Sequence, residues 1–217
     1  MRQLLLYLFI FNMGYINAQE QIRIIQPITI TEADSVKRNF KVCEPVSEPY
    51  KKAIYTTLLY FPELEESKLK FKEKRLKTTM NAQPNVWSLI FKNRRKRTYV
   101  VRINNGERDS TIHTANISFN AQVGVFGHEF CHFVDYSERS FFGVLGRLFA
   151  YTSKKKKAAF EKEMDTNTIE RGLGWQLYDW SDYALNQSNA NYKYKRLKEE
   201  IYLKPEDIKI ILEKNSN

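Results

Sequence analysis

His128 and His132 enclose Glu129, Phe130 and Cys131 in an H-E-x-x-H run, and the whole chain holds only three histidines in 217 residues. On a helix, side chains four apart stand on one face, so both imidazoles can reach a single ion. Imidazole nitrogen is a good ligand for Zn²⁺, and a protein-bound zinc brings the pKa of its water towards neutrality. Glu129, next to the first histidine, is placed to hold and deprotonate that water. The plainer alternative is a helix that happens to carry two surface or core histidines. A catalytic zinc on two histidines needs a third protein ligand and a fourth position left open.

The downstream carboxylates are Glu161, Glu163, Asp165 and Glu170, and helical phase sorts them. Glu161, Met164, Asp165, Thr168, Ile169 and Gly172 fall on one stripe. Glu163, Thr166, Asn167, Glu170 and Arg171 form the polar stripe. An inward carboxylate is costly unless it is paired or metal-bound. This selects Glu161 as third ligand, with Asp165 one turn on, ready to take the second N–H of a liganding histidine. A tilt misplaced by one residue would put Glu163 in that role instead.

These groups need two helices and something to pack them on. Asn120 is a plausible N-cap for the motif helix, which is expected to run to about Tyr136. Its apolar stripe is Val123, Phe126, Phe130 and Phe133, which predicts packing onto a sheet. Asp135, three residues past His132, is suited either to orient an imidazole or to cap the helix end. Before the motif, Pro49 opens a helix with Ala53, Ile54, Thr57, Leu58 and Phe61 at helical spacing, and Pro62 ends it. Strands are then expected at Leu69–Phe71, Val86–Phe91, Tyr99–Ile103 and, after an Asn104-Asn105-Gly106 turn, Ile112–Phe119. Ile22–Ile25 and Ile28–Ile30, separated by Pro27, read as short extended pieces. Ser140 to Tyr151 reads as a helix or lid over the core, with an amphipathic element at a membrane surface as the other option. Beyond Gly174 the chain reads as helical, with a charged helix over Tyr192–Tyr202 and a last one opened by Pro205. The fold class is therefore α+β.

Hydrophobic content of 42% and aromatic content of 14% exclude a disordered chain. Residues 1–18 resemble a signal peptide: Arg2 gives the positive start, Leu4 to Phe11 is apolar, and Ala18 offers a cleavage point. Residues 19–48 then form an N-terminal extension and 49–217 the main domain. The expected location is periplasmic or extracellular. Cys43 and Cys131 are compatible with a disulfide in an oxidising compartment, although sequence alone does not bring them together. The net charge of +10 gathers in Arg94–Arg97 and Lys154–Lys157. Solvated loops are the simpler account of such runs. Contact with an anionic surface polymer or membrane is the functional one, and nucleic acid is not expected for an exported protein.

His128-Glu129-Phe130-Cys131-His132, followed by Glu161-Lys162-Glu163-Met164-Asp165, resembles the gluzincin branch of the zincin metallopeptidases. That resemblance implies a zincin-like α+β domain: a small mixed sheet of about four strands packed on an HExxH helix and a glutamate helix, with further C-terminal helices. It also implies an edge strand that pairs with extended substrate. Carried over residue by residue, His128, His132 and Glu161 would ligate Zn²⁺, Glu129 would be the base and Asp165 would orient a ligand. The implied activity is hydrolysis of peptide bonds in a peptide or protein substrate. A catalytically silent binding or assembly protein at the cell surface is the alternative. The similarity spans roughly Pro49 to Leu177, at the small end for that branch, and departs from the usual pattern at Gly127 and Met164. The donor that would hold the oxyanion stays open among His113, Tyr136, Arg171 and Tyr178.

Overall fold

A computed structural model describes residues 21–43, 45–105 and 112–215. The leader at 1–18 and Gly106 of the expected turn lie outside the described residues. Among the described residues the chain forms an α+β fold. A four-stranded sheet has the order β1(Lys41–Cys43), β2(Lys68–Lys74), β4(Thr98–Asn104), β3(Met80–Pro84). β1 and β4 run parallel to β2, and β3 lies antiparallel on β4 as an edge strand. The helices are α1(Ile30–Asn39), α2(Glu48–Leu58), α3(Val86–Phe91), α4(Phe119–Glu138), α5(Phe141–Leu148), α6(Lys154–Thr168), α7(Gly174–Asp182), α8(Tyr192–Ile201) and α9(Pro205–Asn215).

α4 is the axis of the molecule. All of Asn120–Tyr136 is buried, because sheet, α2, α6 and α7 surround it. Its aromatic stripe meets the sheet as expected: Phe126 and Phe130 pack edge-on to Phe71 of β2, and Phe133 stacks on Tyr99 of β4 at 4.8 Å. Phe61, just past α2, closes on Phe130 at 5.5 Å. On the opposite side α7 crosses so tightly that a Cβ on Gly124 would lie 2.1 Å from the Gln176 carbonyl oxygen. Only glycine lets the two backbones approach that far. Gly124→Ala is accordingly expected to destabilise the fold by about 3 kcal/mol, the upper end for overpacking, read as a lowered midpoint in urea unfolding.

Several expected elements differ. Ile112–Phe119 is no strand: Thr114–Asn116 makes a single 3₁₀ turn. Ser118, not Asn120, caps α4, its hydroxyl accepting from the Ala121 N–H at 3.2 Å. Asn120, freed from capping, accepts from Ile25 N–H and Gln176 Nε2 and donates to Arg23 O and Asp179 Oδ2, so it stitches residues 23–25 to α7. Val86–Phe91 is helical because the Asn85 side chain caps it on Ser88 N–H. The strand falls one step earlier, at Met80–Pro84, where composition gives no β signal and pairing with β4 supplies the order. Ile22–Ile25 and Ile28–Ile30 are not strands. Ile30 instead opens α1 behind a capping box of Thr29 and Glu32.

The glutamate helix is α6. Its first four positions are Lys154–Lys157, with no acidic residue in the first turn. Each such cation opposes the helix dipole by about 0.3–1 kcal/mol. Of the other basic run, Arg97 is buried and donates to the carbonyls of Tyr136 and Arg139, so that residue is structural. No described helix is long and apolar enough to cross a membrane.

Candidate metal centre

α4 and α6 bring His128, His132 and Glu161 together, all buried. Their ligand atoms lie within 4.8 Å of one another: Glu161 Oε2 is 3.2 Å from His128 Nε2 and 3.3 Å from His132 Nε2. The phase argument for α6 is met in detail. Glu161, Met164, Asp165 and Thr168 are buried, while Glu163 and Glu170 are exposed. Glu163 instead pairs with Arg147, away from the imidazoles.

The chemistry of this cluster asks for a cation. Asp165 Oδ1 takes the Nδ1–H of His128 at 2.7 Å, so Nε2 is the ring nitrogen turned towards the cluster. Nε2 faces Glu161 Oε2 at 3.2 Å, a contact that needs either a proton or a metal ion between the two atoms. Burial would keep the His128 imidazole neutral, yet the carboxylates of Asp165 and Glu161 outweigh it and raise its pKa to about 10. Burial likewise works against the Glu161 carboxylate, but the two imidazoles hold it well below the usual range. The two imidazoles and one carboxylate fit a divalent metal ion that would take the place of that proton, with a site left open.

Asp165 does a second job. Its Oδ2 accepts the Leu203 N–H at 2.8 Å, tying the turn after α8 to the imidazole. Asp165→Asn is expected to weaken metal binding about 10–100-fold, the usual cost of losing a partner that orients a ligating histidine, measured by competition with a chelator of known affinity. His132 has no comparable partner among the described residues, since its Nδ1 is buried without a hydrogen bond to any of them. Ring packing holds it instead, between Tyr136 (6.1 Å) and Phe160 (5.1 Å). Asp135 therefore fills neither role suggested for it. It binds the guanidinium groups of Arg139 and Arg147, pinning α5 to the end of α4, and these hold its carboxyl below the ordinary value despite burial.

Glu129 sits beside the cluster in a cleft of about 370 Å³. Larger hollows exist, one of about 770 Å³ near Glu65 and Arg94, but they hold none of this chemistry. Burial raises the Glu129 pKa, with the two imidazoles acting the other way. Its carboxylate accepts no hydrogen bond from any described residue, and so is free for a water. One wall of the cleft is β3 with Thr78, and the other is Leu148, Tyr151 and Tyr202.

Among the open oxyanion donors only Tyr136 lines this cleft. Arg171 is taken by Glu63 and the Tyr60 carbonyl, and Tyr178 packs on Trp175. His113 is the residue that precedes the 3₁₀ turn ahead of α4. Two tyrosines escaped the sequence reading. The Tyr151 hydroxyl donates to Glu161 Oε1 at 3.1 Å, and the Tyr202 ring lies 5.5 Å from that of His128. Neither belongs to a motif, and only the fold brings them near. The two cysteines are free thiols. Cys131 is buried against the Thr168 hydroxyl, its thiol pushed up to about 12 by burial, and it lines a hollow other than the metal cleft. The chain matches no family model, no curated protein and no solved structure, so what the site can do is argued from its own geometry.

Proposed function

We propose that the protein is an exported zinc-dependent peptidase of the zincin type. The observation that carries this reading is the convergence of His128, His132 and Glu161 next to a Glu129 whose carboxylate has no hydrogen-bond partner among the described residues. Zn²⁺ suits two imidazoles and a carboxylate, and when bound would polarise a scissile carbonyl and acidify a water. Glu129 would serve as the base towards a water held beside it and would pass the proton on to the leaving amine. Burial of Glu129 helps the first of these steps, because a carboxyl raised above its ordinary pKa is a stronger base. Tyr136 and Tyr202 bring phenol groups to the cleft, available as donors to developing negative charge. The open side of β3 offers backbone N–H and C=O groups to an extended peptide, which main-chain pairing would align across the metal cluster. Export rests on the character of residues 1–18 alone.

The test is metal content and hydrolysis of an unstructured peptide, measured side by side on the wild type, Glu129→Gln and Glu161→Ala. Hydrolysis that persists after the metal is stripped and Glu129 replaced would overturn the peptidase reading. Metal bound tightly with no hydrolysis of any peptide would favour the silent, binding alternative.

A further inference from the structure

Lys154–Lys157 open α6 against the helix dipole, a local conflict that among the described residues is offset only by the ion pair of Lys154 with Glu200 and by Lys157 over the Tyr151 ring at 5.6 Å. A sequence that breaks such a rule tends to do so where function requires it. Two of these lysines lie on two neighbouring hollows. Lys157 lines the metal cleft. Lys154 lines a separate groove of about 550 Å³. Thr78, just ahead of β3, belongs to the walls of both, so the groove continues the cleft past the start of the edge strand.

The groove is strongly basic. Lys77, Lys154, Lys193 and Arg196 line it, against the single carboxylate of Glu200. That carboxylate already serves Lys154 and Arg196. Lys77 and Lys193 are exposed and have no acidic partner among the described residues. A concave surface of one sign focuses its field and collects the opposite charge.

We propose that this groove receives acidic side chains of the substrate, so that the enzyme selects peptides carrying an acidic stretch on one side of the cleaved bond. The proposal rests on the peptidase reading and adds the substrate class to it. A peptide paired along β3 that leaves the cleft at Thr78 enters the groove that Lys77 and Lys193 line. A peptide is favoured over another polyanion because the groove opens from the same edge strand that offers main-chain pairing.

The experiment uses one fluorogenic peptide core extended by three glutamates or three glutamines, on either its N- or its C-terminal side. In low salt the glutamate version on one side is expected to show a kcat/KM about tenfold higher than its glutamine counterpart, the sum of several exposed ion pairs. That ratio should shrink towards one at high ionic strength. It should also fall towards one in the double variant Lys77→Glu, Lys193→Glu. Both positions are exposed, and circular dichroism would establish that the variant is folded. Zinc-dependent hydrolysis of all four peptides at equal rates would overturn the groove assignment and leave the peptidase reading standing. A glutamate preference that survives in the double variant would overturn it as well. Hydrolysis of none of them removes the peptidase reading and the groove assignment together. Salt-sensitive binding of inorganic polyphosphate, lost in the double variant, with no gain on the acidic peptides, would give the groove to a non-peptide polymer instead.

Discussion

Glu129→Gln keeps its metal and loses turnover: kcat is expected to fall by about 10²–10⁴-fold, the range for removing a general base. The reasoning starts from burial. Glu129 is 7% exposed on α4, and glutamine has nearly the same shape, so the substitution leaves no cavity. It also removes no hydrogen bond to a described residue, so the fold loses little. The ligand set is untouched, because the cluster that gathers on one point is His128, His132 and Glu161. What changes is chemical. An amide accepts no proton from water near neutral pH, whereas a buried carboxylate flanked by two imidazoles does. Metal analysis and steady-state kinetics on the same preparation separate the two properties. A variant that keeps most of its turnover with full metal would show that another group is the base.

Glu161→Ala has the opposite signature. It removes the only carboxylate of the candidate ligand cluster among the described residues, and the loss in metal affinity is expected to exceed the roughly 100-fold that an outer hydrogen-bond partner can cost. With only two imidazoles left, the ion would have to recruit water where the carboxylate stood. The cluster also changes without metal, because Glu161 is one of two carboxylates that raise the His128 pKa. The discriminating control is Glu163→Ala, two residues away on the exposed stripe. It breaks only the Arg147 pair and should leave metal content intact. Equal metal content in the wild type and Glu161→Ala would falsify the ligand assignment, whatever the activity.

Where the sequence spoke clearly, it did so through period and chemistry together. The spacing of His128 and His132 fixes a shared face, and a buried carboxylate must face a partner, so Glu161 and Asp165 could be told from Glu163 and Glu170. The aromatic stripe of α4 named its own packing partner for the same reason. The elements around the site were less legible. Met80–Pro84 has no strand composition and exists because β4 pairs with it. Val86–Phe91 has strand composition and is helical because one side chain, Asn85, caps it. Tyr151 and Tyr202 reach the cleft from segments far apart in the chain, which no local pattern records. Asn120 looked like a cap because of its type, but its four partners lie in segments that only the fold makes neighbours.

A sheet margin unpaired among the described residues, beside the candidate metal centre, carries a hazard of its own. The backbone groups that could line up a foreign strand serve equally for a second copy of the chain, the first step towards aggregation. β3 spans only five residues and closes with Pro84, which has no N–H to offer. Such a margin is long enough to grip one short segment and too short, with a proline at its end, to seed the stacking of many copies.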